Sequence, residues 1–202
     1  ARASPAAAAR HLATHATAVL DMAAGRLDTL PEPVRGRLRR LLDRRGAILD
    51  RLHGVDAALP ERLIRVHGDY HLGQVLVAPP DDRLFVIDFE GEPGRTLAER
   101  RARAPAAKDL AGMCRSFDYL ARHAGRANAA GLTATLERAF LAAYVAEADG
   151  HGWWPADAAA STRLLEILKL DKAVYELAYE LQYRPDQVAI PLAGIEAALD
   201  VG

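Results

Sequence analysis

Hydrophobic positions along the chain follow two rhythms. Over residues 5–25, Leu12, Val19, Leu20 and Met22 recur at helical spacing within an alanine-rich run. Ser4-Pro5 ahead of them supplies a cap with proline at the first helical position. Pro31 and Pro33 interrupt the chain. Over residues 34–52, Leu38, Leu41, Leu42, Ile48, Leu49 and Leu52 share one broad face, which predicts a second amphipathic helix. Arg39, Arg40, Arg44 and Arg45 lie off that face. They read as a solvated surface paired with nearby acids in preference to a binding patch.

Near residue 63 the rhythm changes. Residues 63–66, 74–77 and 84–87 are short β-prone runs, and Pro79-Pro80-Asp81-Asp82 is a turn cluster, so 74–87 is predicted to be a β-hairpin. Residues 92–104 read as a long polar loop. Three more helices are expected over 108–124, 132–148 and 156–183, the last stopped by Arg184-Pro185. No internal repeat and no low-complexity tail stand out. The expected fold class is mostly α with a small β-hairpin, in one domain of sufficient length for a sizeable core.

Composition narrows the partners. The net charge of −1 leaves no basic surplus for nucleic acid and no pull toward an anionic membrane. No apolar run approaches the roughly 20 residues of a membrane span, and no signal peptide is expected. Cys114 is the single cysteine, which excludes an intramolecular disulfide and points to a reducing, cytoplasmic location.

Two segments carry the candidate chemistry: His67-Gly68-Asp69-Tyr70-His71-Leu72-Gly73-Gln74 and Val86-Ile87-Asp88-Phe89-Glu90-Gly91-Glu92-Pro93. Phosphoryl transfer needs a carboxylate to orient the acceptor hydroxyl and take its proton. It needs a second carboxylate to hold Mg²⁺ against the nucleotide phosphates, and a neutral oxygen ligand suits that hard cation. Asp69 fits the base, Gln74 the amide ligand five residues on, and Asp88 the main metal ligand. The hairpin between them brings both acids to one edge of a small sheet, as in the catalytic loop and metal-binding segment of protein kinases.

His-Gly-Asp, an amide five residues after the Asp, and Ile87-Asp88-Phe89 together resemble the aminoglycoside-phosphotransferase-like kinases, although most of those carry Asn where this chain has Gln74. Leu72-Gly73-Gln74, residues 88–93, Leu97-Ala98-Glu99-Arg100-Arg101, residues 109–119 and 170–180, Arg184-Pro185-Asp186 and Ile190-Pro191-Leu192 resemble the bacterial maltokinases and the closely similar actinobacterial glucosamine kinases. The likeness covers roughly residues 60–195. It implies the C-terminal lobe of a protein-kinase-like fold, with ATP and Mg²⁺. The implied reaction moves the γ-phosphoryl of ATP to the anomeric hydroxyl of maltose, within α-glucan synthesis, with a trehalose synthase as a possible partner. Two alternatives stand beside it: a glucosamine or other aminosugar kinase, and a non-catalytic kinase-like interaction module.

The remaining site residues follow from this frame. His67 is expected to be structural, bonding backbone near the metal-binding segment. His71 reads equally as a substrate or phosphate contact and as a local hydrogen-bonding group. Glu90 and Glu92 are candidates for a second metal or a sugar hydroxyl. Asp109 is either a helix cap or, by the kinase resemblance, an anchor for the catalytic-loop backbone. Lys172, Glu176 and Glu180 recur every fourth residue beside Tyr175 and Tyr179, so Tyr175 and Glu176 are candidate sugar contacts, with Trp153 and Trp154 behind them. Arg115 is expected to pair with a buried acid, and Cys114 to be an inert core thiol. The expected division is a helical segment over 1–62, the catalytic loop, hairpin and metal-binding loop over 63–104, and a helical substrate-binding part over 105–202. No strand-rich segment precedes residue 60 and no lysine precedes Lys108. A kinase N-lobe is therefore expected to lie elsewhere, on the same or another polypeptide, and this piece alone to be incomplete for catalysis.

Overall fold

The computed structural model describes residues 5–60, 62–125, 128–148 and 151–200. The protein is mostly helical, with one two-stranded antiparallel sheet among the described residues. It divides into two compact units, one formed by residues 1–59 with 159–202 and the other by 60–158.

The first unit opens with α1 (Pro5–Ala24), whose Ala16, Leu20 and Ala23 are fully buried. The cap read at Ser4 lies outside the described residues. The single helix expected over 34–52 is two: α2 (Glu32–Asp43) and α3 (Arg45–His53), hinged at Arg44. Residues 43–46 are Asp-Arg-Arg-Gly, so no apolar contact holds a straight helix across them. The break lets Leu38 and Leu41 before it, and Ile48 and Leu52 after it, all be buried. Of the four arginines read as a paired surface, Arg44 and Arg45 meet acids, Arg44 Nη1 at Asp200 and Arg45 Nη1 at Asp21, and the neighbouring Arg37 binds Glu196 through two hydrogen bonds; no acid meets Arg39 or Arg40 among the described residues. The guanidinium of Arg45 hydrogen-bonds the Asp21 carboxylate and holds it below its ordinary pKa.

The same unit contains α7 (Ala158–Tyr183), and Arg184-Pro185 does end it. A further helix follows, α8 (Ala189–Asp200), which the sequence reading lacked. Pro191 obscured it, yet a proline in the first turn removes no intrahelical hydrogen bond. Ile190, Leu192 and Ile195 are buried.

In the second unit, β1 (Val75–Ala78) pairs with β2 (Arg83–Val86) in the register Val75↔Val86 to Ala78↔Arg83, as the β-prone runs and turn cluster led one to expect. Residues 63–66 form no strand of this sheet; Ile64 makes only an isolated bridge with Ala104. The loop expected over 92–104 contains a short helix, α4 (Leu97–Arg101). Its start is a capping box: the Glu99 amide donates to Thr96 Oγ1, and the Thr96 amide donates to the Glu99 carboxylate. Two longer helices, α5 (Ala107–His123) and α6 (Ala129–Ala148), pack together, with Phe117 edge-on to Phe140 at 5.7 Å. Cys114 is fully buried in α5, and Arg115 donates to Asp118 at 2.8 Å with both side chains buried. No helix among the described residues is long and apolar enough to cross a membrane.

Candidate functional site

The hairpin register assembles the site. Gln74 extends the ladder by one pair, since the Ile87 amide donates to the Gln74 carbonyl at 3.0 Å. Asp88 is therefore the first residue beyond the paired strand and lies diagonal to Gln74. Gln74 Nε2 donates to Asp88 Oδ2 at 3.0 Å, a bond that uses neither the amide oxygen nor the second carboxylate oxygen, both hard donors. Asp88 adopts φ +61°, a left-handed conformation that aspartate tolerates better than most residues. Gln74 is buried and Asp88 exposed.

His67 ties the two segments together. Its Nε2 lies 2.7 Å from the carbonyl of Ile87, the residue before Asp88, and its Nδ1 accepts from the Asp69 amide at 3.3 Å. An acceptor at Nδ1 places the proton on Nε2, where it donates to Ile87. The ring also packs on Phe89 at 4.7 Å and Tyr70 at 5.6 Å. Gly68 adopts φ +88° and Gly91 φ +79°, and a Cβ on Gly68 would lie 3.2 Å from Gly91 Cα. The loops bearing Asp69 and Asp88 thus touch backbone to backbone, and a side chain there would part them.

Asp109 caps nothing in its own helix. Its Oδ2 accepts from the His67 amide at 2.7 Å and its Oδ1 from the Gly68 amide at 2.8 Å. Carboxylate bonds to two backbone donors are strong, so α5 fixes the start of the loop that carries Asp69. His71 Nδ1 accepts from the Gly73 amide at 3.1 Å and caps the 3₁₀ turn Leu72–Gln74. Glu92 is 3% exposed; it accepts from Arg95 Nε at 3.1 Å and lies 3.8 Å from Lys108 Nζ. The Glu90 side chain is largely exposed, 3.8 Å from Arg100 Nη1.

Tyr175 and Glu176 lie on α7 in the other unit. Glu176 is buried, Lys172 sits over the Tyr175 ring at 4.7 Å, and His15 stacks on Tyr175 at 6.3 Å. Glu180 is 1% exposed and receives both an Nε and an Nη2 bond from Arg184. Trp153 stacks on His151 at 4.1 Å, and Trp154 meets Tyr144 edge-on at 5.5 Å.

Behind the Asp69 loop is a cavity of about 480 Å³, walled by Val66, His67, Tyr70, Phe89, Phe140 and Tyr144, with Asp109 at its edge. Burial, and then the charge of Asp109, push the Tyr70 and Tyr144 phenols above their ordinary pKa of 10.0; at Tyr144 a hydrogen bond with Trp153 opposes the rise. A raised phenol favours the neutral form in the fold. Its contribution to stability is complete below the ordinary value and is lost as pH rises through the folded value. Phenolate absorbance should show two late-titrating groups, one missing in Tyr70→Phe and one in Tyr144→Phe. A single unshifted phenol titration in the folded protein would contradict this.

Comparison with known proteins points to one class, the sugar kinases. More particularly, the chain is similar to glucosamine kinases. It is 36% identical over 147 residues to the glucosamine kinase of Streptacidiphilus jiangxiensis, covering 68% of this chain and 32% of that protein. It is 33% identical over 146 residues to that of Mycolicibacterium smegmatis, covering 67% of this chain and 34% of the relative. A solved glucosamine kinase superposes with a TM-score of 0.77 at 31% identity over 96% of this chain, and one bound to glucosamine, ADP and inorganic phosphate with 0.72 at 30% identity over 94%. The chain spans 47% of each of these solved structures and about a third of the curated relatives it matches. No protein-family model matches it. The maltokinase and trehalose readings gain no support from these relatives.

Proposed function

We propose that this chain is the catalytic-loop half of an ATP-dependent sugar kinase, built as the C-lobe of a protein-kinase-like fold, that phosphorylates glucosamine or a related aminosugar. The observation that carries this reading is the Gln74–Asp88 pair at 3.0 Å, which joins the two sequence motifs across the hairpin. Asp69 orients the acceptor hydroxyl and takes its proton. Asp88 and Gln74 would hold Mg²⁺: a carboxylate and an amide oxygen suit a cation that takes its remaining ligands from water and nucleotide phosphates. When bound, the metal supplies charge stabilisation at the phosphates. His67 and Asp109 hold the loop in place.

The three-part division drawn from the sequence is kept only as a proposal, with 63–104 holding the catalytic and metal-binding loops; the compact units group 105–158 with those loops and 159–202 with the first helical segment. The tight bonds of Glu92 favour a loop anchor over a sugar ligand, and the bond from Gly73 favours a local role for His71. Glu90, Tyr175 and Glu176 remain the proposed substrate contacts. A kinase N-lobe, on the same or another polypeptide, completes the nucleotide site.

An assay with Mg-ATP decides among the acceptors. The chain alone and the chain joined to a kinase N-lobe are each given glucosamine and maltose. Turnover of glucosamine by the joined protein, with little from the chain alone, is the expected result. Preference for maltose would return the acceptor to the first sequence reading. Silence on both sugars would refute the kinase reading and favour an interaction module.

A further inference from the structure

Helix α5 meets the Asp69 loop at more than Asp109. Asp109, Gly112 and Ser116 are spaced by three and four residues, so they share one face of the helix. Each touches the loop, and the order of contacts along the helix follows the order along the loop. Asp109 accepts from the His67 and Gly68 amides. At Gly112 the loop comes so close that an added Cβ would lie 2.6 Å from the Tyr70 carbonyl oxygen. Ser116 Oγ accepts from the Leu72 amide at 3.0 Å. The loop residues between these contact points are Asp69 and His71.

We propose that Gly112 and Ser116 are positioning residues for phosphoryl transfer, forming with Asp109 a rail on α5 that sets the distance of Asp69 from the acceptor. The inference rests on the kinase reading above. A straight helix advances about 1.5 Å per residue, so Asp109 to Ser116 spans about 10 Å of rigid support. Polar bonds hold both ends. At the middle, the missing side chain of Gly112 lets the backbone of Tyr70 lie directly on the helix. The clash a methyl would make is with backbone, which has no rotamer in which to escape. To restore ordinary contact the loop must retreat by up to about 1 Å, a displacement that costs on the order of 100-fold in rate when it misplaces a reacting group.

Glycine inside a helix is costly by itself, and alanine there is favoured. Gly112→Ala therefore separates positioning from folding, because the helix gains propensity while the loop loses its seat. In the N-lobe-joined enzyme, Gly112→Ala is expected to lower kcat about 100-fold with KM for ATP and sugar little changed. Ser116→Ala should give a smaller fall, and Ser116→Thr, which keeps the hydroxyl, should restore it. Gly46→Ala on α3, where an added Cβ meets nothing within 4 Å, serves as the neutral control. In an Asp69→Asn background the Gly112→Ala penalty should vanish, because both changes remove the same contribution. A penalty carried over in full would overturn the proposal.

Hydrogen exchange reads the rail without turnover. The amides of His67, Gly68 and Leu72 should exchange faster in Gly112→Ala. Unchanged exchange would overturn the rail even in an active enzyme. An inactive wild type with faster exchange in the variant would refute the kinase reading and leave the rail standing.

Discussion

Asp69→Asn in the N-lobe-joined enzyme is expected to lower turnover by about 10²–10⁴-fold, the range for losing a positioned general base. The amide keeps the size and one oxygen of the carboxylate, and the backbone bond from the Asp69 amide to His67 Nδ1 does not involve the side chain. The loop should therefore keep its shape, and KM for the sugar should change little. Steady-state kinetics on glucosamine, with a thermal melt as the control for folding, check this. Turnover equal to wild type would remove Asp69 from catalysis and favour a non-catalytic module.

Asp88→Asn should separate chemistry from stability in the same way. Asparagine tolerates the left-handed backbone found at Asp88, φ +61°. Its side-chain oxygen still accepts from Gln74 Nε2. Folding stability is thus expected to stay within about 0.5 kcal/mol of wild type. What is lost is the negative charge that holds a divalent cation. Turnover should fall by roughly 10²–10³-fold, the scale of removing one electrostatic group from a transition state. The Mg²⁺ concentration for half-maximal rate should rise at least about tenfold, equivalent to about 1.4 kcal/mol in metal affinity. An unchanged Mg²⁺ dependence would take Asp88 out of the metal site.

Where local pattern carried the signal, the sequence was legible. The β-prone runs around Pro79-Pro80-Asp81-Asp82 marked the hairpin, because a turn cluster between such runs leaves few other ways to pair backbone groups. The helix over 108–124 was readable to within a residue at each end, since its apolar positions keep one period throughout. The misses have local causes. The break at Arg44 followed from four residues without an apolar anchor. Thr96 and Glu99 had the spacing of a capping box, a signal present in the sequence but masked by polar neighbours. In α8, Pro191 hid a helix whose first turn tolerates it.

The site divides along the same line. Asp69, Gln74 and Asp88 could be named from residue type and spacing, because a hairpin of known length brings its two ends together whatever surrounds it. Asp109 could be named as an anchor only through resemblance. Nothing in a sequence says which backbone amides a carboxylate 40 residues away will reach. Gly112 and Ser116 lay within a run that carried the resemblance, but nothing in residue type or spacing gave them a role: a glycine and a serine inside an apolar helix look like ordinary packing. The burial of Glu92 against Arg95 was equally hidden. By itself the sequence determined the hairpin, most of the helices and the candidate groups, since these depend on period and on neighbours a few residues apart. Only the tertiary structure decided which of these groups meet and which backbone groups they hold. That choice depends on which backbone amides and carbonyls come within hydrogen-bonding or van der Waals distance, and those distances are set by packing between segments far apart in the chain.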